Sequence, residues 1–118
     1  MTTEYLNFSK YHRVAVQYAE IFVVDRFCIR YSDLRSTKRT RNLVYARFAT
    51  WLILSEIYGF KATMLSDIYQ KNWNAIRSGI KRLKTEELDQ EIIRQFKEMF
   101  PSIKWSGASK PTAELSPV

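Results

Sequence analysis

Cationic side chains are concentrated in two segments of this sequence. The first, DLRSTKRTRNLVYAR, runs from Asp33 to Arg47 and carries Arg35, Lys38, Arg39, Arg41 and Arg47. The second runs from Lys71 to Lys84 and carries Lys71, Arg77, Lys81, Arg82 and Lys84, with no acid among them. Guanidinium and ammonium groups bind phosphate oxygens, so the two segments predict contacts with a polyanion. The alternative is a pair of solvated faces without a ligand.

A group of residues suited to reading a base sequence lies inside the second segment. Asn72, Trp73 and Asn74 stand at a turn, and the start of a helix there would direct backbone N–H groups toward phosphate. Asparagine amides pair with adenine edges. For Trp73 two interpretations remain open, an exposed contact residue and a core residue beneath the turn. The full set expected to face DNA is Arg35, Lys38, Arg39, Arg41, Arg47, Lys71, Asn72, Trp73, Asn74, Arg77, Ser78 and Lys81.

Residue patterns for other chemistry are scarce. His12 is the only histidine and has no neighbouring cysteine, which argues against a metal site and a general base. No Gly-rich phosphate loop is present. The single cysteine, Cys28, is expected to be a small buried hydrophobe in a reducing compartment. We therefore expect no enzyme activity, no metal, no cofactor and no small-molecule substrate.

Composition predicts one folded domain. The 118 residues are 46% hydrophobic and 14% aromatic, with only three glycines and three prolines, which favours long helices. The net charge of +7 favours nucleic acid as a partner over an acidic membrane surface. No apolar run approaches the ~18 residues of a membrane span and no secretory signal is visible, so a cytoplasmic location is expected.

Apolar spacing predicts the helices that must position these side chains. A first helix covers residues 10–26, and Ser32 is expected to cap a short turn at residues 31–34. Residues 35–41 should form a loop. A second long helix should begin near Thr40, continue to about Tyr58 and end at Gly59.

Two shorter helices and a last helix complete the predicted fold. Thr63 or Ser66 is expected to cap the first short helix, and the second should begin at Asn72 or Asn74 and run to about Lys84. This pair has the helix-turn-helix pattern. Thr85 should cap the last helix, with Glu86 and Glu87 in its first turn and Pro101 at its end. The predicted class is an all-α compact bundle of five to six helices containing a helix-turn-helix. Residues 1–9 are expected to form an arm, 10–104 the domain and 105–118 a disordered tail.

The segment from Asp33 to Arg47 resembles the start of the C-terminal DNA-binding domain of the bacterial replication initiator DnaA. That family has an Asp-Leu, a Ser followed by several bases, and an Ala-Arg two turns into a long helix. The resemblance covers roughly residues 10–85 and is more specific in its first half. It implies an all-α fold with a Trp-repressor-like helix-turn-helix, whose recognition helix enters the major groove while a basic loop enters the minor groove.

The resemblance also implies roles for individual residues. Arg39 matches the loop arginine of the minor groove, with Lys38 and Arg41 beside it, and Arg47 matches an arginine that contacts DNA. The recognition turn departs from the family, which has Gly-Gly-Arg-Asp-His-Thr-Thr-Val where this chain has Gln-Lys-Asn-Trp-Asn-Ala-Ile. The base-reading His and Thr residues are absent, so a target other than the usual origin box is expected. No ATPase domain precedes the module in this sequence.

Two functions remain open at this stage. The first is a sequence-specific protein of double-stranded DNA, acting as a replication initiator or transcriptional regulator of a bacterium, phage or mobile element. The alternative is a DnaA-domain-like interaction protein that binds a replication or regulatory partner. A homodimer or a replication-protein partner would add to the modest affinity expected of one small module. A phage-encoded chain would act in the host cytoplasm.

Overall fold

The computed structural model describes residues 10–100, and these form six helices in a bundle. The helices are α1 (Lys10–Phe27), α2 (Tyr31–Leu34), α3 (Arg41–Glu56), α4 (Ala62–Tyr69), α5 (Trp73–Thr85) and α6 (Asp89–Met99). The predicted all-α class is confirmed. The arm at 1–9, the domain end at 104, the tail at 105–118 and the stop at Pro101 lie outside the described residues. No helix within 10–100 is both long and apolar enough to cross a membrane.

The first helix follows its predicted bounds closely and buries one apolar face. Ala15, Ala19 and Val23 are fully buried on that face. The helix stops where Cys28 adopts a left-handed conformation, with φ of 54°. Cys28 is exposed, so the expectation of a buried cysteine is wrong. Helices commonly end with a residue of positive φ, usually glycine, and here that residue is a cysteine.

The second long helix, α3, is the centre of the bundle and contacts α1, α2, α5 and α6. Its start is confirmed, because the Thr40 side chain accepts a hydrogen bond from the Leu43 N–H. It ends at Glu56, two residues before the predicted Tyr58, and the chain then turns at Gly59 as predicted. Gly59 has a φ of 76° and donates to the Ser55 carbonyl, and the Phe60 N–H reaches the Leu54 carbonyl at 2.9 Å. Glycine adopts this left-handed conformation without a Cβ penalty.

The short helix α2 begins differently from the prediction. Arg30 occupies the N-cap position, and its backbone N–H donates to the Asp33 carboxylate at 3.2 Å. Ser32 lies inside the helix, so its assignment as the cap is wrong. The Asp33 carboxylate, three residues beyond the cap position, satisfies the first backbone donor instead.

Helices α4 and α5 are joined by the three residues Gln70 to Asn72. Neither Thr63 nor Ser66 caps α4, which starts at Ala62 with Lys61 in the N-cap position and no side-chain cap. The Ser66 hydroxyl instead donates to the Lys71 carbonyl at 2.5 Å and closes the turn. At the start of α5 the Asn72 side chain accepts from the Asn74 N–H at 2.7 Å, which confirms Asn72 as a cap.

The last helix begins later than predicted. Thr85 is the final residue of α5, so it does not cap α6, and Glu86 and Glu87 lie in the connection. Glu87 is left-handed, with φ of 59°, and the Leu88 N–H bonds to the Leu83 carbonyl at 2.9 Å. This hydrogen bond closes the C-terminal end of α5, and the chain changes direction at Glu87. Phe96 of α6 is fully buried and closes the core.

Candidate nucleic-acid interface

The loop from residue 35 to residue 40 is held in place by Arg47 of α3. Its guanidinium Nε donates to the Leu34 carbonyl at 3.0 Å, and its Nη2 donates to the Asp33 carbonyl at 3.0 Å and to the Ser36 carbonyl at 2.9 Å. A further contact joins Nη2 to the Ser36 Oγ at 3.4 Å. One planar guanidinium thus binds three backbone carbonyls at the entrance of the loop.

Arg47 was expected to contact DNA, and in this structure it holds the loop. The residue is only 7% exposed, and its Nε and Nη2 groups donate to backbone carbonyls. Burial lowers the pKa of Arg47, the nearby charge of Arg39 lowers it further, and Asp33 opposes both effects. Arginine stays charged under such a shift because its ordinary pKa is so high. The contacts of Arg47 thus lie at the loop backbone.

Arg35 anchors the same loop to two helices. Its Nη2 lies 2.8 Å from Glu20 Oε2, and its guanidinium stacks over the Tyr69 ring at 4.9 Å from the centroid. The Tyr69 hydroxyl donates to the same carboxylate at 2.6 Å. Glu20 is buried, and a buried carboxylate needs this kind of pairing. Arg35 was expected to face DNA, and the structure shows it shared between this cluster and solvent.

The remaining cations of the loop face solvent. The Lys38 side chain is 69% exposed and lies 3.5 Å from Asp33, a weak surface ion pair. Arg39 is exposed as well. Arg41 is exposed at the start of α3 and lies over the Tyr45 ring, 5.0 Å from its centroid. These three side chains are available to an anionic ligand.

The loop lies beside the α4–α5 unit at both of its ends. At one end Arg35 stacks on Tyr69, the last residue of α4. At the other end Arg41 stacks on Tyr45, whose hydroxyl donates to the Glu86 carboxylate just after α5, at 2.9 Å. The two basic segments, separate in sequence, are therefore neighbours in the fold.

The exposed face of α5 carries polar and basic side chains at helical spacing. Asn74, Arg77, Ser78 and Lys81 occupy positions i, i+3, i+4 and i+7, and all four are exposed. The opposite face is buried through Ile76, Gly79 and Leu83. The four side chains therefore lie in one row along the helix.

The remaining candidates, Lys71, Asn72 and Trp73, lie in the turn before α5 and at its first residue. Trp73 is 43% exposed, which decides between its two interpretations, and Arg77 lies over its ring at 5.4 Å from the centroid. The Asn72 carbonyl oxygen is committed to the helix cap. Lys71 is half-buried.

Several residues of this region were not anticipated from the sequence. Glu20, Tyr69 and Tyr45 connect the loop to the helices through the hydrogen bonds and stacking given above. The sequence does contain a sign of one of them. Glu20 lies four residues after Val16 and three before Val23, on the apolar face of α1. A charged residue on such a face indicates a buried partner.

Two further cations of α5 are paired with acids. Arg82 binds Glu86 at 2.6 Å, and Lys84 binds Glu56 at 2.9 Å. The hydrogen bond from Arg82 lowers the pKa of Glu86, with the Tyr45 hydroxyl adding to the effect. Within residues 10–100, no group of three or more His, Cys, Asp or Glu side chains is placed to hold a metal ion.

Comparison of the chain with protein-family models, with curated proteins and with solved structures finds no match.

Proposed function

We propose that this protein binds double-stranded DNA in a sequence-dependent way, as a replication initiator or transcriptional regulator. The contacts come from the loop at 35–40, from Arg41 at the start of α3 and from the exposed face of α5. The observation that carries the proposal is the row of Asn74, Arg77, Ser78 and Lys81 along α5, with a cationic loop tied beside it. A helix with a basic and amide-bearing face fits the major groove.

The residues divide into three roles. Lys38, Arg39 and Arg41 bind phosphates or enter the minor groove, which supplies affinity on any sequence. Asn74 and Arg77 read base edges, since the Asn72 amide oxygen is used by the helix cap. The buried Arg47 and the paired Arg35 position the loop.

Resemblance to the DNA-binding domain of DnaA supports the same assignment. The loop arginine of that family corresponds to Arg39, which is exposed here. The changed turn, with Trp73 and Asn74 in place of the family's His and Thr residues, suits a different target sequence. A module of this kind would act with a partner or as a homodimer, because one small module binds duplex DNA modestly.

Selection of binding sites from random duplex DNA, repeated at two salt concentrations, tests the proposal. We expect an enriched motif whose affinity falls steeply with salt. Arg39→Ala should weaken binding to all sequences and reduce the salt slope by about one, whereas Asn74→Ala should change the preferred motif. Lys97→Ala, on the exposed surface of α6, is the control. Selection without enrichment, or an unchanged salt slope for Arg39→Ala, would contradict the proposal.

The second candidate function is binding of a protein partner through the turn before α5. The exposure of Trp73 favours it, because exposed tryptophans are common hot spots of protein interfaces. Under this alternative, DNA binding would be weak and lost at moderate salt with no enriched motif. Trp73→Ala would then abolish capture of the partner without altering the residual DNA binding.

A further inference from the structure

A groove of about 530 Å³ lies between the end of α3, the start of α4 and the flank of α5. Its volume falls within the roughly 300–1,000 Å³ of ordinary ligand sites. Its apolar lining residues, called the floor below, are Phe60, Ala62 and Ile80. Two of its lining residues, Arg77 and Lys81, also belong to the face assigned to DNA, and Lys61 and Lys84 line the groove as well.

The rim of the groove is strongly cationic. It includes Lys61, Arg77, Lys81 and Lys84, against a single acid, Glu56. That acid is already bound to Lys84 at 2.9 Å. Within residues 10–100, Lys61, Arg77 and Lys81 have no acid at ion-pair distance. Three cations around an apolar floor are complementary to a ligand that carries both negative charge and apolar side chains.

We propose that this groove binds an acidic amphipathic segment of a partner protein, with apolar side chains against Phe60 and Ile80 and carboxylates at Lys61, Arg77 and Lys81. Recognition of this kind places the apolar anchors of a short segment in a groove, with charged contacts at its edge. A DNA backbone matches the charge of the rim but brings no aliphatic or aromatic side chain to the floor. The floor therefore favours a peptide.

The position of the groove gives it a regulatory consequence. Arg77 and Lys81 belong both to the groove and to the face assigned to DNA, so one occupant excludes the other from these two cations. An acidic partner segment would thus compete with duplex DNA. This consequence rests on the proposed function, whereas binding of the acidic segment does not.

Panning a displayed library of random sixteen-residue peptides against the full chain tests the groove without DNA. We expect enrichment of peptides with Asp or Glu flanking aromatic or aliphatic residues. The most enriched peptide, made synthetically and labelled, should bind about tenfold more weakly to Lys61→Glu and to Ile80→Ser. Lys97→Glu makes the same charge change on α6 and should alter the affinity less than twofold at equal salt.

Three results would overturn the proposal. They are a library without acidic enrichment, equal binding of the enriched peptide to Lys61→Glu and Lys97→Glu, and equal binding when the apolar residues of the peptide are replaced by serine. If the chain forms a dimer in solution and Lys61→Glu dissociates it, the groove binds a second copy of this chain, and the peptide proposal is wrong. Circular dichroism of each variant checks its fold, and Lys61, being exposed, is not needed for it.

Competition is then measured with the enriched peptide and a duplex obtained by site selection. The peptide should displace the duplex from the wild-type chain and fail to displace it from Lys61→Glu. If the peptide binds but the chain shows no affinity for DNA at all, the groove assignment stands and only the proposed function is refuted. Simultaneous binding of peptide and duplex would refute the shared use of Arg77 and Lys81.

Discussion

Arg47 illustrates how a residue in a basic segment can act indirectly on a ligand. Its guanidinium donates to three backbone carbonyls at the entrance of the loop, and the residue is 7% exposed. Arginine can do this because its fork presents several donors in one plane, whereas a lysine ammonium is a point charge on a flexible stem. The side chain therefore determines the conformation of the loop that carries Lys38 and Arg39.

Arg47→Lys keeps the charge and removes the fork. We expect the free energy of unfolding to fall by about 2 kcal/mol, because buried carbonyls lose their donors, and DNA affinity to fall with it. Arg39→Lys, at an exposed position, should change stability by less than about 0.5 kcal/mol. Chemical denaturation measures both variants. If Arg47→Lys kept full stability and lost only DNA affinity, Arg47 would be a direct contact after all.

Asn72 also contributes to the structure, because its amide oxygen caps the start of α5 by accepting a hydrogen bond from the Asn74 N–H. Asn72→Ala should lower the free energy of unfolding by about 1 kcal/mol, the usual cost of a lost cap. Asn72→Ser retains a cap oxygen and is the matched control. Guanidinium denaturation of the three proteins checks this. A Ser variant as unstable as the Ala variant would show that the hydrogen bond to the Asn74 N–H contributes little.

At the scale of the helices, a close approach between α3 and α5 sets the position of the proposed recognition surface. Gly79 is buried on α5, and a Cβ built there would lie 2.4 Å from Cδ1 of the Phe48 ring on α3. Real Cβ atoms essentially never approach so closely, so the Phe48 ring or the backbone of α5 would have to move. The glycine is therefore needed for packing, even though it lowers helix propensity.

Gly79→Ala should lower the free energy of unfolding by about 1 kcal/mol. Overpacking costs about 1–3 kcal/mol, which outweighs a propensity gain of about 1 kcal/mol. The double variant Gly79→Ala with Phe48→Leu should be more stable than the two single changes predict by addition, because the smaller side chain makes room for the methyl. Thermal unfolding of the four proteins tests this coupling. Increased stability of Gly79→Ala alone would mean that the ring moves away at little cost.

Across the whole molecule, charge is less polarised than the sequence alone indicates. The basic loop and the α5 face lie together, but the acidic face of α6 is partly neutralised by its own cation. Arg94 forms ion pairs with both Glu91 and Glu98, and the hydrogen bond from Arg94 lowers the pKa of Glu91. The difference in charge between the surface of the loop and α5 and the surface of α6 thus comes mainly from the loop and α5. Their exposed cations Arg39 and Lys81 have no acid partner among residues 10–100.

Stability should depend on pH through His12, which packs against Tyr11 and Phe60. Burial lowers the pKa of His12 from the ordinary value of 6.5. The unfolded chain therefore binds a proton at a higher pH than the folded chain does, so stability falls as pH drops through about 6.5. The thermal midpoint should decrease from pH 7.5 to pH 5.5 more in the wild type than in His12→Gln. Parallel pH profiles would show that His12 does not contribute.

The sequence by itself determined most of the helical framework, because local signals decide helix bounds. Thr40 as a cap, Gly59 as a stop and Asn72 as the start of α5 follow from side chains that act on backbone groups next to them. Predictions failed where equivalent side chains competed. Thr85 was assigned a cap, whereas α5 continued through it and reversed at Glu87.

Only the tertiary structure decided which basic residues are available to a ligand. Arg39 and Arg47 look alike in the sequence, yet one is exposed and the other is buried beneath the loop. Residue spacing in the sequence likewise could not predict that Trp73 is exposed or that Arg35 pairs with Glu20. The physical reason is that hydrogen bonds between distant segments depend on how helices pack, whereas periodicity reports only which face of one helix is apolar.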